Sequence, residues 1–347
     1  MASHNTSSHT ISCIVLTYNH EKYIHDCLVS ILECDFQPMH IWVLDDGSTD
    51  GTCGIIEQLA QTSDRITLLT QPNSGGLTAA NTQRLLDESH GDYVLFMSGD
   101  DMLGPSFPLT RTMQALNADP RLDLVLPRLL FLTQDPTQQT PLLYTPALLD
   151  ILRSNDPQRV LHEHLYCSVS RIFLQGIVIR RSVVRDIGGF DTTLKADDYA
   201  FIMRLFKHMV DTGHYFHFDE RSLWLYRLHD SNIHRASLRQ FQLIAEVAAK
   251  YIPKKYWKGF RWDCMVFNTS TDLQIVHETT IRLFGPAYRS QLLWRTECVT
   301  LRAARQRGDM RLILQILFAA RTAAISRLYA LFSILVAVWA RVLQGRM

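Results

Sequence analysis

Along the first 130 residues, short apolar runs rich in β-branched residues alternate with stretches whose apolar positions recur every three to four residues. Ile11 to Leu16 is the first run, followed by polar TYNHE. Tyr23, Ile24, Cys27, Leu28, Ile31 and Leu32 then mark one face of a helix. Ile41 to Leu44 reads as a second strand ending in DDGSTDGT, and Ile55, Ile56, Leu59 and Ala60 form the next helical stripe. Ile66 to Leu69, a helix after Gly76, and a strand from Tyr93 to Met97 ending in SGDD continue the pattern, which runs on to Leu126. Strands and helices in strict alternation call for a mostly parallel sheet with helices on both faces, an α/β fold. From Pro127 the pattern is less regular, and the Pro, Gln and Thr residues of 132–160 predict a long loop or insertion over the rim of the sheet. An ordered block follows from about Cys167 to Leu228. Beyond Arg235 the strands stop and an all-helical region is expected.

The alternation also says where to look for chemistry, because ligands of open α/β sheets sit beyond the carboxyl ends of the strands. Three strand ends carry polar clusters: TYN at 17–19, DDGSTD at 45–50 and SGDD at 98–101. DDGSTD can be explained as a turn, with Ser48, Thr49 or Asp50 capping the next helix. SGDD is harder to explain that way, since adjacent carboxylates after a buried strand repel each other unless a cation or hydrogen-bond donors compensate them. Asp100 and Asp101 are hard oxygen ligands of the kind that hold Mg2+ or Mn2+ together with substrate phosphates. Asp197 and Asp198 precede the helical run YAFIMRLF, whose positive end favours their ionised forms. As plain first-turn stabilisers such acids contribute ~0.3–1 kcal/mol each. A cation site beside a separate anionic base is what group transfer from a nucleotide-activated donor requires.

Several other chemistries lack their sequence signals. No GxGxxG follows the first strand, and no P-loop, GxSxG elbow or HExxH is present. DGT at 50–52 has Ser48 where a phosphatase nucleophile would need an aspartate. The seven cysteines show no CxxC pair or zinc spacing, so core packing in a reducing cytosol is expected of them. The polar N-terminus, 1–10, reads as a disordered tail without a signal peptide.

In order along the chain, SCIVLTYNHEKYIHDCLVSIL, VLDDGSTDGT, NSGGLTAAN, GDYVLFMSGDD, GGFD…ADDYAFIMRL and YRLHDSN resemble a family 2 glycosyltransferase of the GT-A fold. The resemblance covers residues 11–235 as a catalytic domain. It implies an inverting enzyme that moves a sugar from a nucleotide-diphospho-sugar, a UDP-sugar foremost, to a hydroxyl of a glycan or lipid-linked acceptor. Carried over by position, Thr17, Tyr18 and Asn19 belong to the donor pocket. Tyr18 and Asp46 hold the base, and Asn73 and Asn81 line the same pocket. Asp100 contacts ribose or metal, Asp101 ligates Mn2+ or Mg2+, and His229 lies near the diphosphate and metal. Asp198 matches the catalytic base, with Asp197 in support. The sequence departs from the family pattern at Ser98, where a strict DxD has its first acid, and at Asp197, one methylene shorter than the usual Glu. Inversion by one displacement requires Asp198 to face the donor from the side away from Asp100 and Asp101. Other readings are a sugar-1-phosphate nucleotidyltransferase, for which TYNHEKY is a poor triphosphate loop, a non-catalytic sugar-nucleotide-binding or scaffolding subunit, and, ranked low, a glycosidase, which needs neither a nucleotide pocket nor a cation.

Charge adds a second theme. The formal net charge is +1, which rules out a global basic field for nucleic acid. It divides, however, into +7 from Leu301 onward, with eight arginines against Asp309, and −6 before it. Residues 250–262, KYIPKKYWKGFRW, interleave basic and aromatic side chains as membrane interfaces do. The alternative is a partly solvated helix packing its rings on the catalytic domain. The apolar C-terminus has no uncharged stretch longer than the 13 residues Leu328 to Ala340, short of the ~20 that span a bilayer. Residues 236–347 are therefore expected to be helices lying in the cytoplasmic leaflet, with a helical oligomer contact as the next reading. A soluble donor would then meet a membrane-held, polyprenyl-linked acceptor, as in the assembly of surface polysaccharides.

Overall fold

The computed structural model describes residues 9–36, 38–105, 107–133, 146–166, 172–195, 198–229, 237–257, 270–288 and 300–318. The chain divides into two compact units, residues 1–161 with 171–230, and residues 162–170 with 231–347.

The first unit contains β1 (Ile11–Thr17), α1 (Ile24–Leu32), β2 (Met39–Asp45), α2 (Thr52–Thr62), β3 (Ile66–Thr70), α3 (Thr78–Glu88), β4 (Tyr93–Ser98), β5 (Met102–Leu103), α4 (Leu109–Ala118), β6 (Leu122–Thr133), α5 (Pro146–Arg153), the start of α6 (Pro157–Tyr166), β7 (Val178–Arg180), α7 (Arg181–Asp186), α8 (Asp198–Thr212) and β8 (Tyr215–Leu228). One sheet of eight strands runs β3-β2-β1-β4-β7-β6-β8-β5. Strands β1 to β4 are mutually parallel, β7 is antiparallel to both its neighbours, and β6 pairs parallel with β8.

Alternation along each strand sends side chains to two cores. On β1, Cys13 and Val15 join one cluster with Ile24, Cys27 and Leu28 of α1 and Met113 of α4, while Ile14 joins the other with Leu85 of α3 and Phe201 and Phe206 of α8. Burial of apolar surface on both faces explains why these strands read as nearly unbroken apolar runs. Cys13, Cys27 and Cys34 are buried free thiols, and burial pushes Cys34 up to about 12.

The structure resolves the less regular stretch. β6 runs through Pro127 to Thr133, the proline sitting where its register with β8 jumps, from Asp219 to Leu223. A bulge tolerates a residue without an N–H. The expected loop over 132–160 also contains α5 and the beginning of α6. Each opens on a proline, which fits the first helical position because its N–H would be unpaired there anyway. Leu148 and Leu152, one turn apart, bury against the sheet.

Pairing aligns the strand ends. Thr17 lies beside Asp45, Asp45 beside Thr70, and Leu16 beside Ser98, so the loops after β1, β2, β3 and β4 meet at one edge. Gly47 lets two of them touch: its φ is +79°, and a Cβ there would lie 2.5 Å from the Asn73 nitrogen. Gly47→Ala is expected to cost about 3 kcal/mol, from left-handed backbone strain and a clash with rigid main chain, read as a lower midpoint in urea unfolding.

In the second unit all described elements are helical. They are Ser237–Tyr251, Lys254–Trp257, Ser270–Phe284, a short 3-10 turn at Pro286–Tyr288, residues 300–306 and Met310–Phe318. Trp257 is buried, donates from Nε1 to the Ile252 carbonyl at 2.8 Å, and meets Phe284 and Tyr288 edge-on. At this position of the basic-aromatic stretch the ring packs within its own unit; residues 258–262 and Leu328 to Ala340 lie outside the described residues. No described helix is long and apolar enough to cross a membrane.

Candidate functional site

The loops after β1 and β2 are laced together by short polar side chains. Asn19, with a left-handed φ of +53°, accepts at Oδ1 from the Thr49 N–H at 2.8 Å, and its own N–H donates to Ser48 Oγ at 2.8 Å. The His20 N–H donates to Thr52 Oγ1, and the Glu21 N–H to Asp50. Asp45 accepts the Gly47 and Ser48 N–H groups and the Ser48 hydroxyl, closing the turn. Asp50 accepts from the Thr52 N–H at 3.1 Å, but the N-cap of α2 is Gly51 and no side chain caps the helix. Tyr18 stands exposed at the rim, and Thr17 is buried with Oγ1 3.2 Å from His20 Nδ1.

Asp46 is the centre of a second network. It is 8% exposed and accepts from Gln71 Nε2 at 2.7 Å, from the Ser74 N–H at 3.0 Å and from the Ser74 hydroxyl at 2.7 Å. Asn81, on the first turn of α3, accepts from Gln71 Nε2 at 2.8 Å and donates to Ser74 Oγ at 3.2 Å. Asn73 holds the same turn through the Gly75 N–H. Asp46, Asn73 and Asn81 thus come together, although they are up to 35 positions apart. Sequence reasoning did not single out Gln71 or Ser74. Their only signal was position, directly after β3 at the shared edge.

The two acids after β4 differ sharply. Asp100 accepts from the Ser98 hydroxyl at Oδ1, while Oδ2 lies 2.9 Å from His229 Nε2 and 3.9 Å from His20 Nε2. Burial pushes its carboxyl up, but the hydrogen bonds from His229 and Ser98 and the charge of His20 outweigh that and hold it at about 2. Asp101 is 1% exposed and turned into the fold, where Oδ2 accepts from Trp224 Nε1 at 3.1 Å and Oδ1 from the Arg227 N–H at 3.0 Å. Burial and the neighbouring Asp100 raise its pKa. Arg227, also buried, donates to the Asp100 carbonyl, pairs with Asp26 at 3.3 Å and lies over the Tyr23 ring, which stacks on His229. Trp224, Arg227 and Tyr23 are therefore supports that the sequence did not announce. Gly99 is needed between the acids and β1, since a Cβ would lie 2.8 Å from Thr17 Oγ1 and 3.0 Å from His20 Nδ1.

Asp198 is the first residue of α8, where the helix N-terminus favours a negative charge. Asp197 lies outside the described residues. The C-terminus of α8 delivers the chain to the amino end of β8, so its N-terminus lies toward the carboxyl ends of β1 and β4, the edge that carries Asp100. Phe201 fixes the helix by stacking on Phe190 at 4.4 Å and meeting Phe96 of β4 edge-on at 5.9 Å. The approach to Asp198 is tied to α3, as the Thr78 hydroxyl donates to the Lys195 carbonyl at 2.8 Å.

Parts of the chain are similar to known proteins. A Streptococcus pneumoniae protein, glycosyltransferase GlyG, is 30% identical over 112 residues, 32% of this chain and 37% of the relative. A Campylobacter jejuni protein, GalNAc(5)-diNAcBac-PP-undecaprenol beta-1,3-glucosyltransferase, is 33% identical over 107 residues, 31% of this chain and 34% of the relative. These alignments span little more than a third of either relative. Among solved structures, the mannosyltransferase PcManGT from Pyrobaculum calidifontis, in complex with GDP-Man and Mn2+, matches with a TM-score of 0.54 at 18% identity, over 96% of this chain and 88% of the other. S. aureus TarS 1-349 in complex with UDP-GlcNAc gives 0.50 at 18% identity, over 92% and 89%. These two likenesses concern the fold. Residues 12–188, more than half of the chain, match the family model described as Glycosyl transferase family 2, and the chain belongs to that family.

Proposed function

We propose that this glycosyltransferase moves a sugar, with inversion, from a nucleotide-diphospho-sugar (a UDP-sugar foremost) to a hydroxyl of a glycan or lipid-linked acceptor in the assembly of surface polysaccharide. One observation carries the reading: the Asp46–Gln71–Ser74–Asn81 network and the Asp100–His229 pair meet at a single edge of the sheet. The first, with Thr17, Tyr18 and Asn19 at the rim and Asn73 in the turn, offers acceptors and donors for a base and ribose. The second offers an ionised carboxylate oxygen beside an imidazole, a donor set that suits Mn2+ and tolerates Mg2+. Asp100 and His229 would hold that ion; Asp101, expected from the sequence as a ligand, has both carboxylate oxygens accepting from Trp224 Nε1 and the Arg227 N–H and would instead buttress the loop beneath them. Bound there, the cation would neutralise the departing diphosphate.

The residues of the chain do the rest. Asp198, at the start of α8, accepts the proton of the attacking hydroxyl, and Asp197 supports it. The stacked Phe190 and Phe201 keep that carboxylate from drifting, and the anchored Asp46 fixes the donor's base end.

The acceptor class is supported by the C. jejuni relative, whose name specifies an undecaprenol-linked substrate, and by the basic, apolar C-terminal region. In Met310–Phe318, Leu314 and Arg311 are both exposed, as an interfacial helix needs. We place the protein in the cytoplasm, peripherally on the inner face of the cell membrane. The purified chain should co-sediment with anionic liposomes and less with neutral ones; no sedimentation with either would remove the membrane from this reading.

The donor test is a thermal-shift panel of UDP-, GDP- and dTDP-sugars with and without Mn2+. One nucleotide-sugar at a hundredfold excess over its Kd should add about 2.7 kcal/mol, and only with the metal present. A folded protein that responds to none of them would overturn the transferase reading in favour of a scaffolding subunit.

A further inference from the structure

We propose that Asp123, His208 and His214 form a second metal site, for a borderline divalent ion of the zinc type, at the end of the sheet opposite Asp100. The inference rests on the fold of the first unit and not on the donor assignment. Asp123 is the second residue of β6 and His214 directly precedes β8, two parallel neighbours that both start at the edge away from the β4 loop. Their register shifts between Leu122 and Leu124, so Asp123 is the extra residue of a bulge, a device that re-aims a side chain. His208 lies on the last turns of α8, and Gly213, with a φ of +72°, turns the chain back so that His208 and His214 face the same carboxylate.

The three donor atoms lie within 4.8 Å of one another, and this is the one such trio of His, Cys, Asp or Glu among the described residues. His214 Nδ1 is 2.8 Å from Asp123 Oδ1, and His208 Nε2 is 4.0 Å from Oδ2. Ligands at zinc bond lengths on a tetrahedron are roughly 3.3 Å apart, midway between these two separations. Small rotamer adjustments of two rings would therefore close the site.

The carboxylate itself calls for a cation. Asp123 is fully buried, and Oδ2 has no hydrogen-bond partner, a costly state for a buried carboxylate. Arg180, the guanidinium near it, directs its hydrogen bonds to the Leu116, Asp119 and Leu122 carbonyls and the Tyr93 hydroxyl. The imidazoles are 19% and 31% exposed, which leaves a path for the ion and room for a water as fourth ligand. Two imidazoles with one carboxylate select zinc, cobalt or nickel over magnesium and calcium. A metal here would pin the far end of the helix that begins at Asp198.

The test uses the full chain, stripped with a chelator, dialysed against Zn2+ and analysed for bound metal. One zinc per chain is expected, with a Tm rise of about 5 °C at a hundredfold excess over Kd and no such rise with Mg2+. The double variant H208Q/H214Q, shown folded by circular dichroism, should lose that equivalent and the rise. No zinc on the wild-type chain would overturn the proposal. So would an undiminished equivalent on the double variant, which would place the ion elsewhere, for example on His4 and His9. Should the double variant not fold, His208→Gln alone is titrated with Co2+, and visible bands identical to those of wild type would overturn it equally.

Discussion

Asp198→Asn is expected to lower the turnover number by about 10²- to 10⁴-fold, the range that a positioned general base supplies, while nucleotide-sugar affinity stays within about twofold. The reasons lie in where the residue sits. The backbone of α8 begins at Asp198 and is fixed by buried Phe201, which stacks on Phe190 and touches Phe96. The segment before it is held to α3 through Thr78 and Lys195. An asparagine keeps the side chain's shape and its place at the helix start, so the framework should survive. What it removes is the basic oxygen that, in the proposed mechanism, takes the acceptor's proton. Transfer of radiolabelled sugar to a membrane extract, beside donor titration by calorimetry, separates the two effects. Equal loss of binding and turnover would make Asp198 a donor-site residue; unimpaired transfer would remove it from the chemistry altogether.

How much of this was legible beforehand follows from the range over which each signal acts. Strands β1, β2 and β4 were readable because both of their faces are buried, and a doubly buried strand declares itself as an apolar run. The polar loops after them were readable as a site because a parallel sheet collects its carboxyl ends at one edge. Helix α5 was hidden behind Pro146, which composition reads as loop although the first turn of a helix accepts it. Gln71 looked like any surface glutamine; only the folded loop shows it bridging Asp46 and Asn81. The contacts of Trp224 and Arg227 with Asp101 were invisible for a stronger reason. They span more than 120 positions of sequence, through a pairing of β5 with β8 that no local pattern encodes. The Asp123 cluster likewise depends on a bulge, and a one-residue register shift leaves no trace in periodicity.

Replacing the adjacent acids one at a time should give two different kinds of damage, the second large effect expected here. With Asp100→Ala, the Ser98 hydroxyl, His229 and His20 lose a nearly buried carboxylate, so the Tm of the metal-free protein should fall by a few degrees. The Mn2+-dependent part of donor binding should fall at least tenfold, about 1.4 kcal/mol, since in the proposed site the Asp100 oxygen beside His229 holds the cation. With Asp101→Ala, the indole N–H of Trp224 and the main-chain N–H of Arg227 are both left buried without an acceptor. At about 1–3 kcal/mol for each orphaned group, Tm should drop on the order of 10 °C before any ligand is added. Donor binding would weaken as well, but through Arg227, whose guanidinium also carries the Asp100 carbonyl and the Tyr23 ring. Thermal unfolding of both variants, each with and without Mn2+ and the nucleotide-sugar, resolves the roles. If Asp100→Ala kept its full metal-dependent shift while a stably folded Asp101→Ala lost it, the ligand would be the inner carboxylate and the loop would have to turn over on binding.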